Sequence, residues 1–102
     1  MANTFKNYVN TGIGTSASTS YTVASSTTAV MIGMTVANVT ASQIKIDVQC
    51  ANAYLVKGAA IPAGGALSVL DGKIILETTD TVVVTSDTAS SADVIISVLE
   101  QT

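Results

Sequence analysis

Cys50, seven carboxylates and many serines and threonines are the residues that could carry chemistry, and no histidine accompanies them. Without histidine, neither a Ser-His-Asp nor a Cys-His arrangement can form, and a zinc site of the usual kind is excluded. Cys50 would need a cationic or histidine neighbour to become a reactive thiolate. It ends the alternation Ile44, Ile46, Val48, Cys50 on the apolar side, where a cysteine acts as a small hydrophobe. As the only cysteine it has no partner for a disulfide within the chain. Among the carboxylates, Asp71, Glu77 and Asp80 lie close in sequence, and Asp87 and Asp93 bracket a serine-rich loop. Such a loop could supply some of the roughly six to eight oxygens that calcium takes. The spacing does not match an EF-hand, and turns recruit Asp for backbone hydrogen bonds, so turn chemistry is the default. A glycosidase pair would need aromatic residues to build a sugar cleft, and only Phe5, Tyr8, Tyr21 and Tyr54 are present. Gly12-Ile13-Gly14 lacks the further glycine and the helix of a phosphate loop. The expectation is a chain without catalytic residues, cofactor or metal.

Composition narrows the partners. The net charge is −3, and the lysines Lys6, Lys45, Lys57 and Lys73 are scattered with no arginine among them. Neither a phosphate-tracking stripe nor a bidentate reader of guanine can be built from these, which excludes nucleic acid. No apolar run reaches the length of a membrane span. The opening residues lack the apolar core of a secretory signal, so the expected place of synthesis and retention is a cytoplasm. Charged residues are 11% of the chain against a usual share of about 25%. A surface that poor in charge suits a protein packed against others, and a homo-oligomer is expected.

The elements that would position these residues are strands. Thr27–Ala37 is the longest apolar run, with Val30, Ile32, Met34 and Val36 on one face, and reads as a central strand buried on both sides. Ser42–Cys50 alternates cleanly, with Ile44, Ile46 and Val48 inward. Ala53–Gly58 sets Tyr54 and Val56 against Leu55 and Lys57, and Ala92–Glu100 sets Val94, Ile96 and Val98 against Ile95, Ser97 and Leu99. Pro62-Ala63-Gly64 places proline first in a turn, with Ala63 at the position where type II wants glycine; that favours type I or a longer loop ending in Gly64-Gly65. Asp71-Gly72, between Ala66–Leu70 and Lys73–Glu77, predicts a tight type I′ hairpin at the centre of the fold. Asn38-Val39-Thr40 matches a glycosylation sequon but reads as a turn. The pattern is all-β: one antiparallel β-sandwich of about eight strands over 13–102, jelly-roll or immunoglobulin-like. Residues 1–12 form either a first strand or an arm that pairs with a neighbouring subunit, for which Phe5 and Tyr8 are the candidate interface residues.

Four phrases bring the chain close to a known group. They are Met1 to Asn7, then Asn52-Ala53-Tyr54-Leu55-Val56-Lys57 with Ile61-Pro62-Ala63-Gly64, then Leu70 to Glu77, and finally Asp93 to Glu100. Together they resemble a family of small virion proteins of tailed bacteriophages, common in phages of cyanobacteria and other aquatic bacteria. The resemblance spans nearly the whole chain and rests on turn-and-strand phrases, not on a catalytic signature. One departure is Thr79-Asp80, where such proteins often carry Gly-Asp. The resemblance implies a non-enzymatic structural protein of the particle, made in the host cytoplasm. It would be a cement or decoration protein on the major capsid protein, or an accessory protein of the neck or tail. The competing reading is a carbohydrate- or receptor-binding sandwich, disfavoured by the scarcity of aromatic residues.

Overall fold

A computed structural model describes residues 3–70 and 72–102. Among the described residues, alternating β-branched and small side chains give nine strands: β1 (Asn3–Ile13), β2 (Ser18–Thr22), β3 (Thr28–Asn38), β4 (Ile44–Cys50), β5 (Ala53–Ile61), β6 (Ala66–Ser68), β7 (Ile74–Leu76), β8 (Thr81–Ser86) and β9 (Ala92–Gln101). One sheet runs β1-β9-β3-β6 with β7 also on β3, and the other runs β2-β8-β4-β5. All pairings are antiparallel. Among the described residues, no helix is long and apolar enough to cross a membrane.

β6 and β7 both lie on the same edge of β3, Ser68 opposite Thr35 and Ile74 opposite Met31, with two extra residues accommodated between them. They are two halves of one interrupted edge strand. The β1·β9, β2·β8, β3·β6/β7 and β4·β5 ladders then form a single long antiparallel hairpin. Rolling that hairpin up adds the β9·β3 and β8·β4 ladders. The result is the strand order of a jelly roll, which settles the architecture against the immunoglobulin-like alternative.

The tight hairpin expected at Asp71-Gly72 is therefore corrected. Its two arms pair with β3 and not with each other, because β3 offers an open ladder to both. Asp71 itself lies outside the described residues. The hairpin tip is instead Ala51-Asn52, both with positive φ (49° and 69°) as a type I′ turn requires, joining Cys50 to Ala53. The proline turn spans Pro62 to Gly65, as the longer loop ending in Gly64-Gly65 and not as a type I turn with Pro62 at its first central position. Gly65 N–H donates to the Pro62 carbonyl at 2.9 Å, which puts Gly64 at the positive-φ position (68°) of a type II turn.

The core is aliphatic and comes from the inner faces of both sheets: Ile44, Ile46, Val48, Val82 and Val84 from one, Val94, Ile96 and Val98 from the other. β3 departs from the expected alternation. Met31 pairs with Val98 and Gly33 with Ser97, so Ile32 is an extra residue, a β-bulge. Ala29 and Met31 face inward before it, Met34 and Val36 after it, and Ile32 is turned outward at 42% exposure. The strand is thus central but buried on one side only. A second irregularity, in the β4·β5 ladder, skips Leu55. It brings Lys57 Nζ to 4.6 Å from the centre of the Tyr54 ring, so these two share a side rather than opposing each other.

Thr79 has φ +71°, a left-handed conformation that a β-branched side chain resists. Its N–H donates to the Val23 carbonyl, while the Asp80 carboxylate accepts the Glu77 N–H. Thr79→Gly removes the strain at the cost of some extra freedom in the unfolded chain. It is expected to raise stability by about 1 kcal/mol in urea melts. A lowered midpoint would mean that the Thr79 side chain contributes more than its backbone costs.

Candidate functional site

Four aspartates accept backbone N–H groups. Asp47 accepts the Gly58 N–H at 2.7 Å, Asp80 the Glu77 N–H, and Asp93 the Gly12 N–H at the β1 bulge. Asp87 accepts both the Lys45 N–H and the Thr88 hydroxyl, which hold its carboxyl below the usual range. Among the described residues, no three of His, Cys, Asp or Glu gather where they could hold a metal. Cys50 is buried in the core, and burial, with the Asp80 charge adding to it, pushes its thiol pKa up. Asn38 is 2% exposed; its amide donates to the Ser42, Ile61 and Pro62 carbonyls, and its Oδ1 accepts the Thr40 N–H and hydroxyl. The sequon is thus a buried clamp on the turn, with its amide unavailable to a glycosyl carrier.

Phe5 and Tyr8 are not brought together. They point to opposite sides of β1, because they are three positions apart in a strand whose side chains alternate. Tyr8 turns inward, its ring 4.6 Å from that of Tyr21 on β2. Both hydroxyls donate to the same Glu100 carboxylate oxygen, at 2.9 and 2.6 Å. The cluster ties β1, β2 and β9 across the two sheets at one end of the roll. The Tyr21 bond, then the Tyr8 bond, holds the Glu100 carboxyl below its ordinary value against the opposing effect of burial. Desolvation, then the Glu100 bonds, raises both tyrosine hydroxyls above theirs.

Phe5 belongs to a different feature, the outer face of the five-stranded sheet. There Phe5 pairs with Leu99, Leu99 with Val30, and Val30 with Ile75, an apolar row across the full width of the sheet. A parallel row runs Val9, Ile95, Thr35, Ser68. Between them lie Asn7, Ser97 and Gly33, where small side chains leave a shallow groove of about 230 Å³ beside Phe5 and Ile32. Among the described residues, five of the seven exposed large hydrophobic ones sit on this face: Phe5, Val9, Ile32, Ile75 and Ile95. Among the paired positions of the face only Asp93, at its margin, is charged. Reading both faces of Ala92–Glu100 as apolar signals this surface in the sequence; the outward turn of Ile32 does not show there.

A second hollow, of about 300 Å³, opens at the interruption between β6 and β7, lined by Leu55, Val69, Leu70, Gly72, Lys73 and Ile74. Among the described residues that line it, Lys73 is the ionisable one. No known family model matches the sequence, and no curated protein matches it significantly.

The Tyr8–Glu100–Tyr21 cluster makes stability depend on pH in two windows. Glu100, with its folded pKa lowered, contributes above its ordinary value of 4.5, and the contribution is lost as pH falls through the lowered value. The tyrosines, with folded pKa raised, contribute fully below their ordinary value of 10.0 and lose this as pH rises through the raised values. Glu100→Gln is expected to cost about 1 kcal/mol at neutral pH, at the low end for charge-assisted bonds in a partly solvated site. It should also flatten the acid limb of a urea-midpoint profile. An acid limb identical to that of the parent chain would remove Glu100 as its source.

Proposed function

We propose that this chain is a non-enzymatic structural protein of a virion, a cement or decoration protein that covers and stabilises a tailed-phage head. The observation that carries this reading is the outer face of the five-stranded sheet. It is broad, nearly uncharged, and holds most of the exposed large hydrophobic residues, which is the character of a surface meant to be covered by protein. The jelly roll supports it by analogy, since that order recurs in viral capsid domains, although lectins and cupins share it. The carboxylates support it too, since those at Asp47, Asp80, Asp87 and Asp93 accept backbone N–H groups and Glu100 is held by tyrosines. A sugar-binding role has less support. Of the four aromatic rings, Tyr8 and Tyr21 are packed against each other at a tilt, Phe5 lies on the outer face of the five-stranded sheet and Tyr54 lies on the other sheet.

The test is mass spectrometry of purified virions from cells making this chain, followed by cryo-electron microscopy. The expected result is jelly-roll density repeated over the icosahedral surface. Density confined to the portal vertex or tail would replace the head assignment with a neck or tail one. A chain missing from the particle would overturn the virion role.

A further inference from the structure

We infer that the outer face of the five-stranded sheet is the interface of a two-fold homodimer, in which the same face of a second copy packs over it. The size is sufficient. Four strands about 4.8 Å apart and about ten residues long give a face of roughly 600 Å² per copy, or about 1,200 Å² in total, the lower bound of stable specific interfaces. The charge pattern favours a like partner. A molecule of net charge −3 repels its copy, but among the paired positions of this face only Asp93, at the margin, is charged, and the Lys6 that lines the groove is exposed. Two copies can therefore meet here with few charges to desolvate.

The relief of the face is self-complementary. A two-fold axis running across the strands through Ser97 and Gly33 sets the Phe5 row of one copy over the Val9 row of the other. A large side chain then meets a smaller one at the two edges, Phe5 over Val9 and Ile75 over Ser68, while side chains of like size meet between them, Leu99 over Ile95 and Val30 over Thr35. The groove between the rows lies on the axis and faces its own copy, with Ile32 at its border as the side chain placed to reach across. A symmetric contact of this kind closes at two copies and does not propagate into fibres. The inference rests on the same face as the proposed function and names a second copy as the protein that covers it; oligomeric state and incorporation into a particle are read by separate measurements.

The experiment is light scattering coupled to gel filtration across a micromolar concentration series, with circular dichroism as the folding check. The parent chain is expected at twice its 10.3 kDa mass. Gly33→Glu places a charge at the centre of the face. The nearest atom to its added Cβ would be Ser97 Cβ at 4.0 Å, so the strand can accept it. It should weaken dimerisation at least about tenfold, as should Phe5→Lys, whose 74% exposed parent side chain leaves the core untouched if Gly33→Glu folds poorly. Val39→Lys, exposed but off the face, should remain dimeric. A monomeric parent chain would overturn the inference and assign the face to a different protein. A dimer that survives both face variants would overturn it in favour of an edge, such as the free side of β1.

Discussion

The pairing of β3 with β9 is the constraint on which the other features depend, and a single extra residue sets its terms. Side chains alternate along a strand, so a regular β3 would have to choose which of its halves to bury. Ala29 and Met31 occupy one parity and Met34, Val36 and Asn38 the other. The bulge at Ile32 lets all five face inward, at the cost of a local kink and one turned-out isoleucine. The core gains two methionines from the same strand. The outer surface acquires an apolar side chain at its centre. Core and contact face are thus products of the same irregularity.

The all-β class, most strand positions and the inward faces of β4 and β9 were legible because their alternation is uninterrupted. Ile44, Ile46 and Val48 could be assigned from spacing alone, and the structure buries all three. What escaped was set by non-local pairing. Asp71-Gly72 carries stronger local hairpin chemistry than Ala51-Asn52, yet the residues on either side of it are drawn onto β3 instead. Tertiary pairing overrode turn propensity, and Ala51 accepts a positive φ that its own chemistry disfavours. The bulges in β3 and β5 were illegible for a related reason. A bulge is a property of two strands compared, and one strand's sequence does not display it.

The contact surface was partly legible. Phe5 was identifiable as an unusual aromatic residue near the start of a polar strand, and it lies on the apolar face. Tyr8 carried the same signal but serves the interior, joined to Tyr21 and Glu100. Strand parity separates the two, and it could be applied only once β1 was known to pair in register with β9. The polar residues tell a parallel story. Asn38 and the loop aspartates resemble a sequon and a cation loop in one dimension; in three, their oxygens and nitrogens are occupied by the backbone of turns.

The strand order has a consequence for how such a chain reaches its native state. β9 lies between β1 and β3, and β8 between β2 and β4, so the last two strands in sequence fill the middle of both sheets. Asn3 must find Gln101 and Ser18 must find Val84. A nascent chain that has emerged only as far as β7 can close β4 on β5 and β3 on β6 and β7, but its remaining strands have no neighbours. Contacts between such distant residues make the search slow, and unpaired edges stay exposed while it lasts. The β1·β9 and β2·β8 ladders can close only once β8 and β9 have been made, so the edges of the earlier strands stay open to one another until then.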